Sequence, residues 1–499
     1  MRSNSPKSIT LTALAGACLL ACLGAQAATI VISSRDAPGV GFNDPTVVAP
    51  VGGNPKTTLG EQRMFVYRHV ADLWEAAISS PATITVSAGW EALTCTASSA
   101  TLGSAGAWNF WHDFSNGTPN RWYPQALANK IYGSDLSAGQ PDDGSGYGNV
   151  DIKTQFNINL GNTGCLDGLP FYLGVDGNAG SKVNFVTTLL HELGHGLGFA
   201  IGLTSTASGR HVNAEGSAYV TDGGVPSFWE DFMFDNTVNK SWLNMTDAER
   251  TASAINPLKL AWTGVNAVAG ALATLKPTPV INVVTTAPGA TGKYDYATAS
   301  FGAALPASGN LGTLANIPAA SNNELGCNAF DAASRAAVFG KVALISRGTC
   351  GFVVKVKNAQ NAGATAVLIK DNAPGAPAGL GGSDPTITIP SARITQAAGV
   401  TLSAAVAAAP AKVGSRGTPG NPGVVASLGT DPTRIAGADA LGRPLLYTPN
   451  PRIAGSSVSH WDVSATPNLL MEPNINSDLT KTLVPPKDLT VPLLKDVGW

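Results

Sequence analysis

The sequence predicts an α+β fold, a mixed twisted sheet packed with helices and interrupted by a β-rich insertion. An early segment carries apolar residues at helical spacing, two later segments alternate with period two, and a second apolar helical run bears two histidines four residues apart. The texture of the chain then changes near residue 275 and again near residue 413.

The elements follow in order. Residues 1–27 read as a secretory signal: Arg2 and Lys7 precede an apolar run over 11–23, and Ala25-Gln26-Ala27 is a small-residue cleavage site. The expectation is therefore a secreted or periplasmic protein. Leu19-Leu20-Ala21-Cys22 only loosely resembles a lipid-attachment box, and no later run approaches the ~20 apolar residues of a membrane span. Over 61–79, Val66, Val70, Leu73, Trp74 and Ala77 predict a helix. The stretch 82–87 after Pro81 predicts a strand, and 151–160 predicts another. The Gly-, Asn- and Trp-rich piece between those strands reads as loop. Residues 183–200 predict the second helix.

From 277 to 412 short β-branched runs are broken by Gly, Pro and Ala. A strand and turn over 341–352, a helix over 353–362 and a strand over 364–370 are expected there. GTPGNPG lies inside 413–435, which reads as a linker, and 436–499 completes the chain. A formal charge of −2 with 13% charged residues gives no basic excess, so nucleic acid is excluded as a partner class; a monomer is expected. Of six cysteines, Cys18 and Cys22 leave with the signal. The remaining four allow three pairings, and sequence order favours Cys95 with Cys165 and Cys327 with Cys350.

The second helix reads TTLLHELGHGLGFAIG over residues 187–202. Residues four apart on a helix sit ~40° apart around the axis and ~6 Å along it, so His191 and His195 share a face and can hold one metal ion. Glu192 can reach a water on that metal without displacing it. Zinc suits neutral imidazoles, and a catalytic site needs three protein ligands plus an open position. Two ligands are present here; the third must come from elsewhere.

The pattern His191-Glu192-x-x-His195-x-x-Gly198-Phe199 resembles the metzincin zinc proteases. In that family the glycine turns the chain off the helix, and a third histidine usually follows three residues later. Here that place holds Ile201. Four histidines remain. His69 lies beside the apolar stripe of the first helix, and His112 among aromatics suits a local hydrogen bond. His211 could fold back from sixteen residues beyond His195. His460, in SSVSHWD, precedes Met471 by eleven residues. This is similar to the leishmanolysin-like branch, where the third histidine follows a long insertion and a methionine turn lies beneath the metal.

The resemblance implies a discontinuous catalytic domain built from 28–276 and 436–499. One zinc ion would be held by His191, His195 and His460, with Glu192 as general base, Gly198 as the turn and Met471 packed below. It also implies protein or peptide substrates lying along an edge strand, for which 151–160 is the candidate. GCNAF, GKVALISRGTCGFVVKVKNAQNAGATAVLI and ITIPSARI resemble a protease-associated (PA) domain covering most of 277–412, a module implied to restrict or recruit substrates. Cys327 and Cys350 sit where such domains often carry a disulfide.

Two other readings compete. A thermolysin-like protease would take Glu215, twenty residues after His195, as third ligand, although the acidic partner expected four residues on is Tyr219. A non-catalytic exported binding protein would act through its PA domain. Asp142-Asp143-Gly144 in a Gly-rich loop is a weak calcium candidate against a solvated turn.

Overall fold

Local signals set the ends of the first helix, Leu59–Ala77. The Thr58 hydroxyl accepts from the Glu61 N–H, and the Glu61 carboxylate accepts from the Thr58 N–H, a reciprocal cap that satisfies two otherwise orphaned donors. The helix stops at Ile78, whose backbone is extended. Its buried face of Val66, Val70, Ala71 and Trp74 joins the main core.

The computed structural model describes residues 27–139, 149–202, 210, 224–377, 379–382, 384–409, 411, 420–476 and 478–499. The calcium candidate Asp142-Asp143-Gly144, His211, Glu215, Tyr219 and all but Ala27 of the signal segment lie outside these residues.

The first sheet has four strands in the order Thr29–Ser34, Thr83–Glu91, Ile152–Asn157, Gly103–Ala107. The first three are parallel and the last is antiparallel, so the sheet is mixed. The first helix makes the crossover between the first two strands, as a parallel pair requires. The strand expected over 151–160 exists but is internal, and the edge is Gly103–Ala107. Its sequence, GSAGA, has neither β-branched residues nor alternation, which is why the stretch reads as loop. A helix, Gln125–Tyr132, also forms within that stretch.

The histidine helix runs Phe185–Gly196, capped by Asn184, whose side chain accepts from the Val186 and Thr187 N–H groups. It lies against both the edge strand and the internal strand. Gly196 permits the second contact, since a Cβ there would press into the Ile152 side chain.

The inserted unit is a mixed eight-stranded sheet in the order Gly292–Tyr294, Pro277–Val284, Val425–Ile435, Gly309–Asn316, Val342–Ser346, Ala366–Lys370, Ser391–Ile394, Tyr296–Thr298. The expected strand, helix, strand core is Val342–Ser346, Phe352–Asn361 and Ala366–Lys370. Alternate residues feed opposite faces: Val342 and Leu344 enter one apolar cluster, Ala343 and Ile345 another. With helices Phe352–Asn361 and Gln396–Ala408, the unit is α/β and not simply β-rich. The linker expected over 413–435 is corrected at its second half. Val425–Asp431 pairs with Thr278–Val284, and after a bulge Ile435 pairs with Pro277, so the sheet extends to Ile435. Gly and Pro before Val424 mask a strand that begins directly behind them.

One apolar cluster joins Val66, Trp74, Leu189 and Leu193 to Leu446, Trp461, Met471, Leu489 and Leu493. The segment after the insert therefore shares a core with the segment before it. Disulfides link Cys95 to Cys165 and Cys327 to Cys350. Among the described residues no helix is long and apolar enough to cross a membrane.

Gly196→Ala should destabilise the fold by about 1–3 kcal/mol through overpacking against the stiff, β-branched Ile152. Chemical denaturation compared with wild type checks this.

Candidate metal centre

The helix places His191 and His195 on one face, and their Nε2 atoms lie 3.1 Å apart. The third corner is His460, whose Nε2 is 3.1 Å from that of His195 and 3.3 Å from that of His191. Three nitrogens bound tetrahedrally to one zinc ion at ~2.0–2.1 Å would stand ~3.3–3.4 Å from one another, so the triangle has the size the metal needs. Among the described residues this is the sole group of three or more His, Cys, Asp or Glu side chains placed to share an ion.

Hydrogen bonding fixes the chemistry of each ring. His191 Nδ1 donates to the Leu470 carbonyl at 2.7 Å, His195 Nδ1 to the Phe199 carbonyl at 2.7 Å, and His460 Nδ1 to the Ser456 carbonyl at 2.9 Å. A carbonyl can only accept, so each Nδ1 carries the hydrogen and each Nε2 keeps its lone pair for the centre of the triangle. Burial also holds the rings neutral. It pulls His191 down to about 4 and, with the neighbouring His191, pulls His460 to about 3; His195 falls well below its ordinary value through burial and its two histidine neighbours. Three neutral donors converging without a proton between them fit a soft-to-borderline cation and little else.

Backbone geometry delivers those carbonyls. Gly198 has φ +113, a conformation side chains disfavour, and the reversal brings Phe199 back so that its carbonyl meets His195. Ile201, which stands where a histidine was sought, is buried, and its N–H donates to Ser459 Oγ at 3.3 Å. Phe199 meets Trp461 edge-on, with ring centroids 5.3 Å apart. The chain leaving the histidine helix thus packs on the segment that brings His460. That segment is pinned in turn: Tyr447 N–H donates to the His460 carbonyl, and Trp461 N–H to the Met471 carbonyl at 2.8 Å. Met471 is fully buried beneath the helix, against Gly194, where a Cβ would lie 2.8 Å from its Sδ.

Glu192 is buried on the same helix, where its carboxylate faces the Ala105 N–H of the edge strand. Burial pushes its carboxyl up to about 8, against the opposing pull of that N–H. The general-base candidate therefore lies beside the sheet edge, one residue from His191 on the same helix.

The other described histidines stand apart from the triangle. His69 lies half-buried on the first helix. His112 bonds Asp113 at 2.7 Å and stacks edge-on with Trp122. Sequence reasoning missed the edge strand Gly103–Ala107, for which the sequence carries no periodic signal. It also missed two buried carboxylates behind the methionine turn. Glu472 accepts the Leu469 N–H at 2.8 Å, and Asp488 accepts the Leu470 N–H at 2.8 Å.

The PA-domain family profile matches residues 311–402, within the inserted unit, so the chain carries an inserted PA domain in a mixed α/β setting. The inserted stretch is similar to vacuolar-sorting receptor 1 of Pisum sativum, 42% identical over 84 residues, 16% of this chain and 13% of that protein. Vacuolar-sorting receptor 5 of Arabidopsis thaliana is 38% identical over 81 residues, again 16% and 13%. Among solved structures, a zinc aminopeptidase from Bacillus subtilis is aligned at 22% identity and a TM-score of 0.21, covering 33% of this chain and 35% of that one. An aminopeptidase from Aneurinibacillus sp. strain AM-1 is aligned at 20% and 0.20, covering 41% and 42%. The chain thus spans a small part of the receptors and less than half of the aminopeptidases, and at these TM-scores the structural likenesses carry no argument about the metal centre.

Burial raises Glu472 to about 9, so its proton is held more tightly in the folded chain than in the unfolded one. Its contribution to stability is full below about pH 4 and is lost as the pH climbs towards 9. Glu472→Gln, which keeps an acceptor for Leu469, should remove this slope. Unfolding free energies of both proteins between pH 5 and 9 should diverge in favour of the variant as the pH rises.

Proposed function

We propose that the chain is a secreted zinc-dependent endopeptidase of the leishmanolysin-like metzincin arrangement, with His191, His195 and His460 as ligands and Glu192 as general base. The observation that carries this reading is the convergence of three lone pairs, each fixed by an Nδ1–H bond to a backbone carbonyl, beside a buried glutamate. The catalytic unit would comprise 28–276 and the segment after Ile435, in keeping with their common apolar cluster.

Bound zinc supplies Lewis acidity, polarising the scissile carbonyl and acidifying a water at neutral pH. Glu192 accepts the proton of the attacking water and passes it to the departing amine. Among the described residues no strand pairs with the outer side of the edge strand Gly103–Ala107, where an extended substrate could lie, and GSAGA lets another backbone approach closely. At Gly106 no atom stands within 4 Å of where a Cβ would lie. The PA domain would select or recruit protein substrates, and the two disulfides suit an oxidising, extracellular setting.

The purified chain should hold one equivalent of zinc by metal analysis. His460→Ala should lose it and Glu215→Ala should keep it; the reverse pattern would replace this reading with the thermolysin-like one. Glu192→Ala should retain zinc while casein hydrolysis falls by about 10²- to 10⁴-fold. Equal activity in the two proteins, or none in either, would favour a binding protein acting through its PA domain.

A further inference from the structure

The two buried carboxylates behind the methionine turn have no part in the chemistry above. Asp488 is 2% exposed and Glu472 1%. Asp488 receives two backbone donors, the Leu470 N–H at 2.8 Å on Oδ1 and the Thr490 N–H at 2.7 Å on Oδ2. It therefore joins the start of the helix Thr490–Val497 to the methionine turn. Glu472 holds the preceding N–H, that of Leu469. A buried carboxylate costs more to desolvate than an apolar or amide replacement, so a purely structural link could be made more cheaply.

The position of Leu470 gives the carboxylate a use. On the far side of the Leu470 Cα its carbonyl accepts the Nδ1–H of His191 at 2.7 Å. The N–H and the carbonyl belong to successive peptide planes, so the link is one of position and not of electron flow. Asp488 holds the plane before Leu470, and the Trp461 N–H, on the Met471 carbonyl, holds the plane after Met471. The plane of the Leu470 carbonyl lies between these two anchors, and that carbonyl meets His191.

We infer that Asp488 is a positioning residue for the first metal ligand: through Leu470 it sets the orientation in which His191 presents Nε2. This rests on the zinc reading above. If Asp488 is removed, the Leu470 N–H becomes a buried donor that must find another acceptor, and the turn shifts to supply one. The carbonyl then leaves His191, as when any outer partner of a metal-binding histidine is lost.

A capping role alone would predict something different, and two variants separate the alternatives. Asp488→Ser keeps the short bond to the Thr490 N–H, two residues on, but cannot reach Leu470. Asp488→Asn fills the same space and keeps one of the two acceptors. In the full chain, zinc affinity by chelator competition, the visible spectrum with cobalt in place of zinc, and thermal unfolding of the metal-free protein are measured. Asp488→Ser should unfold near wild type without metal, bind zinc about 10- to 100-fold more weakly and displace the cobalt bands. Asp488→Asn should fall between the two. Wild-type zinc affinity with an unchanged cobalt spectrum in Asp488→Ser overturns the inference and leaves Asp488 a helix cap; should that variant not fold, the same result in Asp488→Asn overturns it. A wild-type chain that binds no zinc removes the zinc reading and this inference together, whereas wild-type binding with unaltered variants removes this inference alone.

Discussion

The structure depends on one demand: three neutral imidazole nitrogens must be brought within 3.3 Å of one another with their lone pairs converging. A helix can supply two of them by spacing alone. It cannot supply the third, nor can it supply the carbonyls that hold each ring in the right tautomer. Those come from a glycine turn, from the methionine turn and from the turn that carries His460 itself. Each carbonyl must be fixed by its own surroundings before it can fix a ring. The apolar core that unites the residues before the insert with those after it is therefore a condition of the site and not merely its support.

His460 lies 265 positions beyond His195, yet the long detour does little to loosen the site. The chain leaves for the insert at Pro277 and returns at Ile435, and these two residues are paired across neighbouring strands. One residue further, the Ala436 N–H donates to the Lys276 carbonyl, and the Lys276 N–H to that of Thr466. The insert folds on its own apolar clusters and hands back a chain whose ends already touch. For the main core the closure entropy is then that of a short connection, not of a flexible loop of that length. The same pair of bonds ties the crossing point to the stretch between His460 and Met471, so the insert is anchored beside the segment that completes the triangle.

What the sequence revealed follows from how local each signal is. The first helix, the histidine helix and the strand, helix, strand core of the insert were legible because apolar periodicity, capping residues and Gly breaks act within a few positions. His460 was legible for another reason: six histidines leave few candidates, and Met471 marks one of them. Gly103–Ala107 was not legible, because an edge strand made of small residues owes its conformation to the neighbour it pairs with and to the helix beneath it. Val425–Ile435 failed similarly, as a strand defined by its partner Pro277–Val284 and hidden behind Gly and Pro. Asp488 and Glu472 look like ordinary surface acids until the fold buries them against backbone N–H groups.

Ile201 shows how one position can serve the triangle without belonging to it. The turn at Gly198 sends the chain back across the face of the helix, and whatever stands three residues later arrives close to the third corner of the triangle. Here the residue is apolar, and it is the Ile201 N–H that binds Ser459 beside His460 while Phe199 packs on Trp461. The turn delivers packing and a hydrogen bond to the segment that bears His460. A histidine brought from so far along the chain needs such a dock, because nothing in its own local sequence aims it at the other two. The apparent gap in the motif is thus the contact surface on which the distant histidine is seated.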